Sequence, residues 1–182
     1  MYNIKMNLTE EYNLAVAHQQ EHGCSAPPYE SYQKLFDIAK QTNSQRILEI
    51  GTGVGFTALV LATACANAEI DSIEKDSEHV EIASGYIQSH GLSNRVHIHN
   101  VVAEDFLASL KPGYDLIFFD GFQIHYEFLP HYERLLKPSG ILVLGNNHLS
   151  SKTSEQFFGE LNDNGQWKIL EKFGETTVAK KN

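Results

Sequence analysis

The run Arg46-Ile47-Leu48-Glu49-Ile50-Gly51-Thr52-Gly53-Val54-Gly55-Phe56 sets a carboxylate beside three closely spaced glycines, and that pairing limits the chemistry open to this chain. Glycines at this density let the backbone take positive φ and let a ligand approach the main chain. A helix beginning at Phe56 would point free N–H groups into the turn. The arrangement is that of a nucleotide-binding loop, and its spacing decides the nucleotide. A dinucleotide fingerprint has its third glycine where Phe56 stands, so NAD and FAD are disfavoured. A P-loop closes on Gly-Lys-Ser/Thr, and Gly55-Phe56-Thr57 lacks the lysine. What remains is a nucleoside ligand without a phosphate chain. Glu49 agrees with it, since a carboxylate there repels phosphates and suits a positively charged amino group.

Further candidates follow along the chain. Glu74 closes the second strand, where a carboxylate can take both hydroxyls of a ribose. Ala103-Glu104-Asp105, after the third strand, would border the base. Asp120 ends the apolar run Tyr114-Asp115-Leu116-Ile117-Phe118-Phe119, at the carboxyl edge where open parallel sheets bind ligands. His125 and His148 fall on loops at the same edge. His18-Gln19-Gln20-Glu21-His22 spells the H-x-x-E-H of a zinc protease, with both histidines on one helix face. No third ligand follows at a recognisable spacing, and Gly23 ends the helix at once, so a solvated helix end is the expectation. His97 and His99 alternate with Val96 and Ile98 and read as strand histidines rather than ligands.

Strands and helices must alternate to position these groups. Helices are expected over 8–22, 29–41, 56–66, 76–90, 126–136 and 154–161, and strands over 46–50, 69–74, 95–99, 114–120 and 140–144. Leu136-Lys137-Pro138-Ser139-Gly140 reads as a helix stop and turn, and Gly145-Asn146-Asn147-His148 as a loop. Trp167–Phe173 and Thr176–Lys180 flank Gly174-Glu175, the pattern of an antiparallel hairpin. The fold class is therefore α/β, a doubly wound and mostly parallel sheet with a C-terminal antiparallel hairpin. Ala26-Pro27-Pro28-Tyr29 is an extended linker, and residues 1–30 supply an N-terminal helix and a segment able to cover the site as a lid.

At 182 residues and 42% hydrophobic, residues 1–182 suit one domain with a real core. The formal charge of −9 gives no general attraction to a phosphate backbone, so nucleic acid is disfavoured as a partner. Cys24 and Cys65 make no disulfide framework, and Cys65 sits in an apolar helical run as a buried thiol. No signal pattern opens the chain, and its longest apolar run is too short to span a bilayer. A cytoplasmic, soluble protein without membrane contact is expected, and a homodimer is compatible with the sequence.

Residues 46–148 resemble the class I S-adenosylmethionine-dependent methyltransferases, whose fold is Rossmann-like, and within them the small O-methyltransferases that include catechol and caffeoyl-CoA methyltransferases and bacterial relatives. The motifs are Leu48 through Thr57, Ser72-Ile73-Glu74-Lys75-Asp76, Tyr114 through Asp120, and Leu136 through Gly140. The resemblance implies that Glu49, Gly51, Thr52, Gly53 and Gly55 cradle the methionine part of S-adenosylmethionine. Thr57 would approach the methionine carboxylate, Glu74 would hold the ribose, and Ala103 with Glu104 would border the adenine. Phe56, Lys75 and Asp120 complete the implied cofactor-binding set.

The same resemblance brings out departures. Metal-dependent members bind a divalent cation through an Asp at the position of Asp120 and an Asp-Asn pair after the fifth strand, with a Lys three places beyond the first Asp. Here those later positions are Asn146, Asn147 and Gln123. An Asp120-Asn146-Asn147 site carries one formal charge and would hold magnesium or calcium weakly. Val101 also replaces a glycine usual after the third strand. An O-methyltransferase must align a hydroxyl with the reactive methyl and exclude water, and Asp120, His125 and His148 are the candidates to stabilise the oxyanion. The expected activity is methyl transfer to a small-molecule hydroxyl, weakly dependent on metal or independent of it. A methyltransferase of tRNA or another macromolecule, and a cofactor-binding relative without turnover, are the alternatives.

Overall fold

The computed structural model describes residues 7–23, 27–146 and 151–182. Cys24, Ala26, Asn147 and His148, all named above, lie outside the described residues. In chain order the elements are α1 (Leu8–His22), α2 (Tyr32–Thr42), β1 (Arg46–Ile50), α3 (Phe56–Ala64), β2 (Glu69–Glu74), α4 (Ser77–Ser89) and β3 (Val96–Asn100). There follow α5 (Ala103–Ser109), β4 (Tyr114–Phe119), α6 (Phe128–Leu135), β5 (Leu136–Leu144), α7 (Lys152–Asp163), β6 (Trp167–Phe173) and β7 (Thr176–Lys181). The strands form one seven-stranded sheet of order β3-β2-β1-β4-β5-β7-β6. β1 to β5 run parallel, while β7 joins β5, and β6 joins β7, antiparallel. The order reverses between β1 and β4, which opens a crevice at their carboxyl ends.

Strand alternation divides the core between the two faces of the sheet. Ile47, Leu116, Phe118, Ile141 and Val143 pack with residues of α1 to α4. Leu48, Ile50, Ile117, Phe119, Leu142 and Leu144 pack with residues of α5 to α7. α3 lies beside β1 and is buried from Phe56 to Ala62, so it is apolar all round rather than amphipathic. Glu49 falls on the same face as Ile47, beneath α3, and is fully buried.

Three local expectations are corrected. The second helix starts at Tyr32 rather than Tyr29. Tyr29 instead turns inward behind Pro27-Pro28, and its hydroxyl lies 2.7 Å from the Thr176 hydroxyl of β7. Residues 103–109, to which the sequence assigned no element, form a short helix. Lys137–Gly140 belongs to β5, whose pairing with β4 jumps from Tyr114↔Leu136 to Leu116↔Ile141. The turn chemistry of Pro138-Ser139-Gly140 thus makes a bulge, with Ser139 at a φ of 64°.

Candidate functional site

The cleft begins at the loop after β1. Gly51, Gly53 and Gly55 all take positive φ. At Gly51 the demand is steric as well, because a Cβ there would lie 2.6 Å from the carbonyl oxygen of Asp120. The loop is held from below by side chains. The Thr52 and Ser72 hydroxyls lie 2.6 Å apart, and Ser72 donates to Glu49 Oε2 at 2.5 Å. Glu49 Oε1 is buried with no partner. Burial pushes the Glu49 carboxyl up to about 7, against the opposing hydrogen bonds from Ser72 and Thr57, and the charge of Glu74 adds to the rise.

Glu74 closes the loop from β2. Its Oε2 accepts from Gly53 N at 2.9 Å and its Oε1 from Asp76 N at 2.9 Å. Asp76 in turn caps α4, accepting from Glu78 N and His79 N. One carboxylate thereby ties the glycine loop to the start of α4, and each oxygen keeps lone-pair capacity for a ligand.

The resulting cleft has a volume of about 450 Å³, within the roughly 300–1,000 Å³ of small-molecule sites. Gly51, Thr52, Gly53, Phe56, Thr57, Glu74, Lys75, Ala103, Glu104, Asp120 and His125 line it together, so most of the residues singled out in the sequence meet in one place. Glu49 and Gly55 are not on its wall. Glu49 supports the loop from within the sheet, and Gly55 starts α3 with a backbone so close to α4 that a Cβ would meet Ala83 at 3.2 Å. Lining residues that motif reading missed include Gln19, His79, Val102 and Phe122. His79 carries a sequence signal in retrospect, three places after the helix-capping Asp76, whereas α1 reaches the cleft only through tertiary packing. Ala15, His18, Pro27 and Pro28 line the cleft as well, so α1 and residues 27–28 form part of its wall.

Asp120, at the end of β4, has a carboxyl raised well above the ordinary range, first by burial and then by the charge of Glu49. Asn146 Nδ2 donates to Asp120 Oδ1 at 2.9 Å and to the Gly121 carbonyl at 3.3 Å. A divalent cation needs oxygen lone pairs on that side, and the amide presents donors instead. Turning the amide over would forfeit both hydrogen bonds, so Asp120 and Asn146 fit such an ion poorly. Asn147 and His148, the remaining candidates here, lie outside the described residues. Among the described residues no group of three or more His, Cys, Asp or Glu side chains is placed to hold a metal ion. The H-x-x-E-H histidines, His18 and His22, stack with ring centroids 4.3 Å apart and planes at 20°, a geometry in which their lone pairs do not converge.

Sheet order, glycine loop and switch-point cleft together define a Rossmann-like methyltransferase architecture. Residues 10–165 match the O-methyltransferase family model, and the chain belongs to that family. An O-methyltransferase, hkm8, of Aspergillus hancockii is 24% identical over 143 residues, covering 76% of this chain and 57% of that protein. A tRNA1(Val) (adenine(37)-N6)-methyltransferase of Cytophaga hutchinsonii is 34% identical over 76 residues, covering 42% of this chain and 32% of that protein. The match thus spans 57% and 32% of the length of these two curated relatives. Among solved structures, the O-methyltransferase from Bacillus cereus in complex with SAH has a TM-score of 0.80 at 19% identity, covering 100% of this chain and 94% of that one. TomG from Streptomyces achromogenes, an O-methyltransferase in complex with SAM, has a TM-score of 0.78 at 21% identity, covering 99% and 92%. At such identities these superpositions speak for the fold.

Proposed function

We propose that this chain binds S-adenosylmethionine in the cleft and methylates the hydroxyl of a small molecule by in-line displacement, without a firmly held metal ion. The observation that carries the reading is the convergence of the glycine loop, Glu74 and Asp120 on one cleft at the switch point of the sheet. The residues present fit the cofactor: a positive-φ glycine loop with open space over Gly53 and a carboxylate, Glu74, whose oxygens keep lone pairs for ribose hydroxyls. The cofactor supplies, when bound, a methyl group already electrophilic on a cationic sulfur.

The chain's own part is to bind, orient and manage one proton. Gly51 to Gly53 and Thr57 hold the amino-acid end, Glu74 with Lys75 the ribose, and Ala103 and Glu104 the base. The cleft wall also carries Phe119, Phe122 and Phe128 with Pro27 and Pro28, apolar surface that suits a flat acceptor. Asp120 and His125 line the same cleft, and the His125 ring centroid lies 5.4 Å from that of Phe128. Asp120, in its ionised form, would accept the acceptor's hydroxyl proton as the methyl group leaves the sulfur for the acceptor oxygen and S-adenosylhomocysteine is released. Positioning alone is worth up to about 7–11 kcal/mol in such a reaction. Gln123 puts no positive charge beside the forming alkoxide, so turnover should depend steeply on the acceptor's own pKa.

Calorimetric titration with S-adenosylhomocysteine tests the reading, run with magnesium and again with EDTA. Micromolar or tighter binding, insensitive to EDTA, is expected, and Glu74→Ala should weaken it by roughly 1.5–3 kcal/mol through the lost charged hydrogen bond. Undiminished affinity in Glu74→Ala would remove the ribose from Glu74. Turnover abolished by EDTA would restore a metal-dependent mechanism.

A further inference from the structure

Behind Pro27 and Pro28, Tyr29 lines the cleft, and most of its side chain is buried against three strands. Its ring meets Phe118 of β4 edge-on, with centroids 5.0 Å apart and planes at 62°. Its hydroxyl lies 2.7 Å from that of Thr176, the first residue of β7, which is buried too. Between these two contacts the ring passes Gly145, directly after β5, where a Cβ would lie 3.4 Å from Tyr29 Cε2. The same Cβ would lie 2.9 Å from Asp120 Oδ1. Ring edge and carboxylate thus border one point, and a larger residue at Gly145 would displace one of them. Asp120 is fixed on its other sides by its own chain: its carbonyl abuts Gly51, and Oδ1 accepts from the Asn146 amide.

We propose that Tyr29, tethered to Thr176, is a positioning residue for Asp120: its ring edge, held beside Gly145, keeps the carboxylate in one orientation toward the acceptor hydroxyl. The assignment rests on the reading that Asp120 accepts the acceptor's proton. The edge of an aromatic ring carries the positive part of its quadrupole and so suits a carboxylate as neighbour. Burial pushes the Tyr29 phenol up to about 12, against the Thr176 hydrogen bond, and the charge of Asp120 adds to the rise, so the hydroxyl keeps its proton at pH 7. Thr176 is not on the cleft wall, and its effect on the reaction passes through the ring. A group misaligned with the reacting atoms costs rate while ground-state binding survives.

The test is steady-state methyl transfer from S-adenosylmethionine to catechol, beside calorimetric affinity for S-adenosylhomocysteine, in the whole chain. Tyr29→Phe, which keeps the ring, and Thr176→Val should each lower kcat about tenfold. The KM for catechol and the affinity for S-adenosylhomocysteine should stay within about twofold, because the glycine loop and Glu74 are untouched. Thr176→Ser retains the hydroxyl and should keep kcat within about twofold of the unaltered protein. The double variant Tyr29→Phe with Thr176→Val should fall no further than either single variant, since both remove one bond. Unchanged kcat in Tyr29→Phe overturns the proposal. So does a raised KM at unchanged kcat, which would make Tyr29 a wall of the acceptor pocket, or a loss that Ser at 176 fails to prevent. An unaltered protein that binds S-adenosylhomocysteine yet transfers no methyl to catechol removes the phenol reading and this assignment with it; turnover indifferent to Tyr29 removes this assignment alone.

Discussion

Glu49 acts on the cleft from behind its wall, where its charge adds to the rise in the Asp120 carboxyl. It is held by hydroxyls rather than by a cation, and its carboxyl is raised by burial to about 7. Folded chains therefore keep this proton up to about pH 7, whereas unfolded chains release it near 4.5. The stability carried by the proton is full below the unfolded value and is lost as pH rises through 7, a difference of roughly 3 kcal/mol. Glu49→Gln should remove this dependence, so that the variant gains on the unaltered protein between pH 4.5 and 8 in urea unfolding. A constant difference across that window would show that the buried carboxyl titrates normally. Binding should follow the same proton. S-adenosylmethionine carries a sulfonium charge that S-adenosylhomocysteine lacks, so their affinity ratio should rise with pH through 7 only while Glu49 can ionise.

At the scale of elements, the strands that carry the site are pinned at their other end by a polar cluster. Tyr114 donates its hydroxyl to Asp71 Oδ2 at 2.7 Å, Arg46 reaches both Tyr114 and Asp71, and His99 Nε2 lies 3.0 Å from Asp71 Oδ1. One carboxylate thus links β1, β2, β3 and β4. Burial pushes Asp71 up, but the His99 and Tyr114 hydrogen bonds and the charges of His99 and Arg46 outweigh it and bring the carboxyl down to about 2. The resulting stability, roughly 2 kcal/mol, is present above the unfolded carboxylate value near pH 4 and is lost as pH falls through about 2. Asp71→Asn should therefore be destabilised by about that amount at pH 7 and converge on the unaltered protein in acid. Equal stability at neutral pH would reduce the cluster to surface decoration.

The elements that the sequence made legible are those whose periodicity and punctuation agree: β1 with its glycines, α3 as an unbroken apolar run, α4 between Asp76 and Gly91, and the hairpin around Gly174. α5 escaped because seven residues hold barely two turns, too few to show a period. The placing of Glu49 under the loop was hidden for another reason. Its neighbours Leu48 and Ile50 announce a buried strand, but which face α3 covers is set by tertiary packing, so the sequence did not show that Glu49 also supports the loop through Ser72. His18 was legible only as part of a protease-like pattern, and its stack on His22 within α1 and its edge-on contact with His79 of α4 are not readable from the pattern.

For the whole molecule, the open question of chemistry is the size of the acceptor. Two observations pull apart. The tRNA methyltransferase of Cytophaga hutchinsonii has the higher local identity, yet its match covers 42% of this chain, whereas the family model spans residues 10–165. Binding a polynucleotide draws most of its affinity from cations that displace counterions from phosphates. This chain sets 14 Lys and Arg against 23 Asp and Glu, and its cleft offers Lys75 among Glu74, Asp76, Glu104 and Asp120. Such a charge balance offers a phosphate backbone little attraction, while an uncharged phenol is indifferent to it. With methyl-labelled S-adenosylmethionine, label should pass to a small acidic phenol and not to bulk tRNA, and tRNA should not be retained with the protein on a filter at physiological ionic strength. tRNA retention that weakens steeply with added salt, together with labelled tRNA, would reverse the assignment and make the acidic surface irrelevant to recognition.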